Sequence, residues 1–89
     1  MRIWGKLIKD NHLLRDTEVL LEGPESRTIK VFESLRLICM EFDLEVPTWL
    51  KTNVKEFQKG AKTRFRQDSF IEKIPFDYLE IQVLEDDLP

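Results

Sequence analysis

The stretch from Ile74 to Glu85 does most to limit what this chain can fold into. Within it Leu79, Ile81 and Val83 alternate with Tyr78, Glu80 and Gln82, and a period of two gives a strand one buried face and one wet face. Such a strand needs neighbours to pair with and a layer to cover its apolar side. Because it comes last, the preceding residues have to supply both.

Two apolar runs near the start supply the neighbours. Ile3, Trp4, Leu7 and Ile8 precede the segment Lys9-Asp10-Asn11-His12, and Leu13, Leu14, Val19, Leu20 and Leu21 follow it. Asp and Asn favour tight turns and accept left-handed backbone, so the two runs read as a β-hairpin. A three-residue loop at Asp10–His12 places Ile3 opposite Val19 and Lys6 opposite Asp16, an apolar pair and an ion pair. Registers one residue to either side stay open. Gly5 in the first strand points to a bulge or to the close approach of another element.

The covering layer is helical. Glu22-Gly23-Pro24-Glu25 breaks the chain, and Ser26 is the expected N-cap. From there to about Phe42, the residues Val31, Phe32, Leu35, Ile38, Cys39 and Phe42 share one arc of roughly 120° at 100° per residue. Ile29, Leu37 and Met40 fall on the opposite side among Lys30, Glu33, Arg36 and Glu41. Cover by another element, or ordinary surface scatter, is the first reading of these three. A partner surface is the sharper one. Pro47-Thr48 opens a second helix ending near Gly60, a residue suited to the C′ position. Leu50, Val54 and Phe57 form its narrow stripe, with Trp49 packing back on the first helix.

Residues 62–66 alternate charge around Phe65 and suit a short edge strand, because charges blunt an edge. Asp68-Ser69 caps one helical turn carrying Phe70 and Ile71, and Pro75 restarts the chain as extended backbone. The resulting fold class is α+β, a two-layer sandwich in which an N-terminal β-hairpin, two helices and a C-terminal strand build a small mixed sheet. The expected strand order is 2-1-3, with the last strand beside and parallel to the first after a right-handed crossover. No repeat, linker or low-complexity tract divides residues 1–89, which read as a single domain.

Composition then limits the chemistry. One cysteine, Cys39, and one histidine, His12, form no disulfide framework and no zinc site from this chain alone, and Cys39 reads as a small core residue. No apolar signal region follows Met1 and no apolar run is long enough to span a bilayer, so the expectation is a soluble cytoplasmic protein without membrane contact. The formal charge of −3 hides a segregation. Residues 51–66 hold six basic side chains, Lys51, Lys55, Lys59, Lys62, Arg64 and Arg66, against the one acid Glu56. Of the fourteen basic and seventeen acidic residues, eight and sixteen remain elsewhere, a balance of −8. Lys51, Lys55 and Lys59 share one helix face, with Lys62 in line if the helix continues. Such a stripe suits phosphates, and Phe65 between two arginines is the kind of aromatic that stacks on a base. The plainer reading, a solvated face balanced by Glu85-Asp86-Asp87, is preferred because the net charge is negative.

No constellation rises to a catalytic or metal motif. His12 reads as a solvated turn residue. Asp77 and Glu80 superficially match nuclease carboxylates, but on a strand they point to opposite faces. Glu85-Asp86-Asp87 lacks the glycine and spacing of a calcium loop. The stretches Met1–Lys6, Lys62–Asp68 and Phe76–Val83 together resemble a family of small uncharacterised bacterial proteins. That resemblance covers most of the chain and implies no activity, cofactor or site residue.

The sequence therefore reads as a small cytoplasmic, non-enzymatic α+β domain, without cofactor, that binds another protein or itself, a homodimer included. Ile29, Leu37 and Met40 are the candidate partner surface. The alternative is a nucleic-acid binder using Lys51, Lys55, Lys59, Lys62, Arg64 and Arg66.

Overall fold

The structure, a computed structural model, describes residues 1–87. It is an α+β two-layer sandwich. Strands β1 (Arg2–Lys9), β2 (His12–Leu20), β3 (Lys62–Phe65) and β4 (Tyr78–Glu85) form one sheet, and helices α1 (Arg27–Glu41) and α2 (Lys51–Gly60) cover one face of it. The sheet order is β2-β1-β4-β3 and every pairing is antiparallel. The last strand does lie beside the first, but the sheet is not mixed and β4 does not run parallel to β1. The reason is the short strand after α2. It adds one reversal of direction, so the chain crosses through the helices from β2 at one edge to β3 at the other and returns beside β1 antiparallel.

The hairpin register is Ile3 to Val19 and Lys6 to Asp16, by a route that differs from the three-residue loop. Asp10 and Asn11 both take positive φ, 50° and 64°, which makes a two-residue turn whose twist matches the strands. One residue is then regained in a bulge. Leu7 faces Arg15 and Ile8 faces Leu13, leaving Leu14 unpaired in the ladder. Although Lys6 and Asp16 face each other, the Lys6 ammonium goes to Glu80, and Asp16 accepts the Trp4 indole N–H at 2.9 Å.

Helix α1 begins as expected, with Ser26 Oγ accepting from Ile29 N at 3.3 Å. It ends in a Schellman motif, Leu44 N donating to Cys39 O and Asp43 N to Met40 O, with Asp43 left-handed at φ 57°. Val31, Leu35, Ile38, Cys39 and Phe42 are buried against Ile3, Leu7, Leu79 and Ile81. Gly5 is the close-approach glycine. A Cβ there would stand 2.6 Å from Ile38 Cγ2, so only glycine lets α1 settle onto β1 at that point.

Helix α2 starts at Lys51, later than Pro47-Thr48 suggests. Leu50, at its N-cap, has no oxygen to offer, and Asn53 supplies the cap instead by accepting from Leu50 N at 2.9 Å. Its amide also donates to Thr63 Oγ1 and to the Arg64 carbonyl, both at 2.9 Å, tying α2 to β3. Asn53 and Phe57 are the buried side chains of α2, while Val54 is turned outward. The left-handed residue ending the helix is Ala61, φ 53°, and Gly60 is still helical.

The two helices cover opposite halves of the sheet, α1 over β1 and β2 and α2 over β3. Trp49 fills the seam. Its ring meets Phe32, Phe57 and Phe65 edge to face at centroid distances of 5.9, 5.5 and 5.1 Å. Residues 67–69 form one 3-10 turn, after which Phe70 is buried and Ile71 stands almost fully in solvent. Among the described residues, no helix is long and apolar enough to cross a membrane.

Candidate functional site

Two surfaces flank α2, one apolar and one basic. The apolar one grows from the seam between the helices. Phe32 lies at the edge of the α1 arc, and because α2 packs on β3 it meets Trp49 on one side and is left partly open. It is 52% exposed, against an expected core position. Around it open two depressions. One, of about 290 Å³, is walled by Val31, Phe32, Trp49, Val54 and Phe57, with Arg27 at its rim. The other is a shallow one lined by Ile29, Phe32, Val46 and the Glu33–Arg36 ion pair. Ile29, Val46 and Val54 are each between 42% and 56% exposed.

The expected trio Ile29, Leu37 and Met40 is not brought together. Ile29 and Met40 share the outer face of α1 but stand eleven residues apart, about 16 Å along the axis, with Glu33 and Arg36 between them. Leu37 is half-buried on the far flank. The apolar surface beside the seam holds Ile29 together with Phe32, Val46, Trp49 and Val54. The signal for Phe32 lay in its place at the very edge of the helical arc. Val46, in a loop, had none.

The basic surface lies on the other flank of α2. Lys51, Lys55 and Lys59 are exposed on one face, as their spacing requires. Lys62 does not continue that helix; it opens β3. It meets Lys59 across a cleft of about 480 Å³ that Arg64, Arg66 and Glu56 also line. Glu56 accepts from Thr63 Oγ1 at 2.6 Å and from the Arg64 amide at 3.4 Å. The Thr63 hydrogen bond, with the nearby arginines, holds its carboxyl below the usual range. Phe65 is no stacking platform. It is fully buried against Trp49, because odd positions of β3 face the helices.

The acidic tail is not the counterweight to these cations. Glu85 binds Arg2, Asp86 binds Arg27, and Asp87 binds Lys30 and the amino terminus, at 2.9 to 3.2 Å. Of the six basic residues from 51 to 66, Arg64 alone has a carboxylate within 4.0 Å among the described residues.

The open face of the sheet carries a charge ladder. Asp16, Lys6, Glu80 and Arg64 stand side by side on β2, β1, β4 and β3. Glu80, expected on a wet face, is 4% exposed. Lys6 Nζ reaches one of its oxygens at 2.7 Å and Arg64 Nε the other at 2.9 Å. Burial opposes its charge, but the two hydrogen bonds outweigh burial and hold the carboxyl below its ordinary value. Beside the ladder, Arg64 and Arg66 lie over the Tyr78 ring at 4.6 and 5.9 Å.

The remaining chemistry-bearing residues are engaged in structure. Asp77 Oδ2 accepts from the Asp10 amide at the hairpin turn, 2.8 Å, and so neither faces nor joins Glu80. His12 is exposed at that turn. Burial pushes the Cys39 thiol up to about 12, which leaves it inert. Among the described residues no three His, Cys, Asp or Glu side chains gather into a metal site. Compared with protein-family models, with curated proteins and with solved structures, the chain matches none.

Proposed function

We propose that this chain is a small cytoplasmic, non-enzymatic domain that binds another protein through the apolar surface on its helix layer. The observation that carries this reading is Phe32, half exposed where the depressions on either side of it meet, with Ile29, Val46 and Val54 around it. An aromatic-floored groove between two helices is the geometry that receives the apolar face of a partner helix or loop. Lys51 and Lys55, on the solvent side of α2 between Val54 and the basic cleft, favour a partner with acidic residues flanking its apolar ones. They also disfavour a second copy, since a two-fold contact centred on Phe32 and Val54 brings the two lysine rows toward each other.

The test replaces Phe32 with a photo-reactive residue in cells and compares it with the same residue at Leu14, exposed on β2. A discrete adduct with one partner should form from position 32 alone and vanish with Val54→Asp, the purified variant keeping its melting temperature. Identical adducts from both positions, or none alongside a clean monomer by light scattering, would overturn the reading.

A further inference from the structure

We propose that the cleft between the C-terminal end of α2 and β3 binds the phosphate backbone of a single-stranded nucleic acid. The inference stands apart from the protein-binding surface, which lies on the other flank of α2. Four cations, Lys59, Lys62, Arg64 and Arg66, line the cleft against one carboxylate, and that carboxylate is turned to Thr63 and the Arg64 amide. Among the described residues Lys59, Lys62 and Arg66 meet no acidic group within 4.0 Å, while the acidic tail is bound to Arg2, Arg27, Lys30 and the amino terminus. The molecule is acidic overall, yet on this edge of it, among the described residues, only Arg64 of the four cations is paired, with Glu80. Lys51 and Lys55 extend it along α2, about 12 Å from Lys51 to Lys59 at 1.5 Å per residue.

A second feature names the class of polyanion. Tyr78 lies on the open face of the sheet, half-buried, with the guanidinium groups of Arg64 and Arg66 over its ring. Tyr78 does not itself line the cleft, but the two guanidinium groups over its ring belong to residues that do. A guanidinium backed by an aromatic is a surface on which an unpaired base stacks, and a base inside a duplex has no free face to give it. A membrane surface is the poorer fit. The groups that line the cleft are charged or small, with no apolar side chain to enter the bilayer.

The test is fluorescence anisotropy of a labelled twelve-nucleotide single strand, RNA and DNA in separate arms, titrated with the full chain at 20 and 200 mM salt. If three to four phosphates are neutralised, Kd rises on the order of 100- to 600-fold between the two salt concentrations. Lys59→Glu/Lys62→Glu should weaken binding at 20 mM salt at least tenfold more than Lys9→Glu/Lys73→Glu, which makes the same change in net charge on exposed lysines outside the cleft. Binding to the single strand should exceed that to a duplex of the same sequence, and Tyr78→Leu should narrow the difference. The inference is overturned if no strand binds at 20 mM salt or if the two double variants weaken binding equally. It is equally overturned if the duplex, or vesicles with one third phosphatidylserine, bind as tightly as the single strand.

Discussion

Glu80 shows how a residue on a solvent-facing strand position becomes buried. Its neighbours across the ladder are Lys6 and Arg64, two long side chains whose stems cover the carboxylate while their heads bind its two oxygens. Glu80→Gln keeps the shape and removes the charge, so both cations lose their partner. Hydrogen bonds to charged groups are worth about 1.5–3 kcal/mol, and the variant should lose stability in that range at pH 7 by urea denaturation. The dependence on pH has a definite sign. A carboxyl held below its ordinary value contributes fully above the ordinary carboxylate range, and the contribution is lost as pH falls through its lower, folded-state value. The difference between wild type and Glu80→Gln should therefore be constant near neutrality and shrink on acidification. A difference that grows toward low pH would contradict the ladder.

At the level of elements, α2 carries a swapped pair of residues at its end. Gly60 is the last helical residue, with nothing within 4 Å of where its Cβ would be, while Ala61 takes the left-handed cap conformation at φ 53°. The usual assignment is the reverse, alanine inside the helix and glycine at the cap. Gly60→Ala should gain up to about 1 kcal/mol of helix propensity, and Ala61→Gly about 1–2 kcal/mol of relieved backbone strain. The double variant should melt several degrees higher, and an unchanged or lower melting temperature would count against this cap geometry. The same helix shows what the sequence made legible. Period-two and period-3.6 patterns identified β1, β2, α1 and β4, and residue type the Ser26 cap, because each depends on residues close in the chain or on one buried face. The Ile3–Val19 pairing was reached through a three-residue loop, whereas the chain uses a two-residue turn and a bulge. The antiparallel return of β4 was hidden because it depends on β3, four residues whose alternating charges name an edge but not its direction. The lysine spacing gave the basic face of α2, while its neighbour in space, the cleft with Lys62 and Arg66, needed the turn at Ala61. Phe32 was placed in the core because periodicity gives an angle around the helix and says nothing of how far the covering layer extends.

For the molecule as a whole, the question is what keeps an open four-stranded sheet from pairing with itself. Its two edges are β3, four residues long, and β2, nine residues long and largely exposed. Length alone makes β2 the risk, since an unpaired ladder of that size is a template for another chain. Leu13, Leu14 and Leu20 add apolar surface there, each about half exposed. What opposes pairing is the charge between them. Antiparallel self-pairing centred on Asp16 sets that carboxylate against its own copy, and centring on Thr17 sets Asp16 against Glu18, so these registers bring like charges face to face. The bulge at Leu14 disturbs the ladder near one end as well. The wild-type chain should accordingly run as a monomer by light scattering at high concentration. Asp16→Val/Glu18→Val removes both acids and leaves a β-branched, apolar edge from residue 16 to residue 20. This variant should keep its helical circular dichroism yet associate in a concentration-dependent way that added salt does not reverse. If the variant stays monomeric, the acids are not what guards the edge; if the wild type already dimerises and the dimer survives Val54→Asp, the edge itself is the contact.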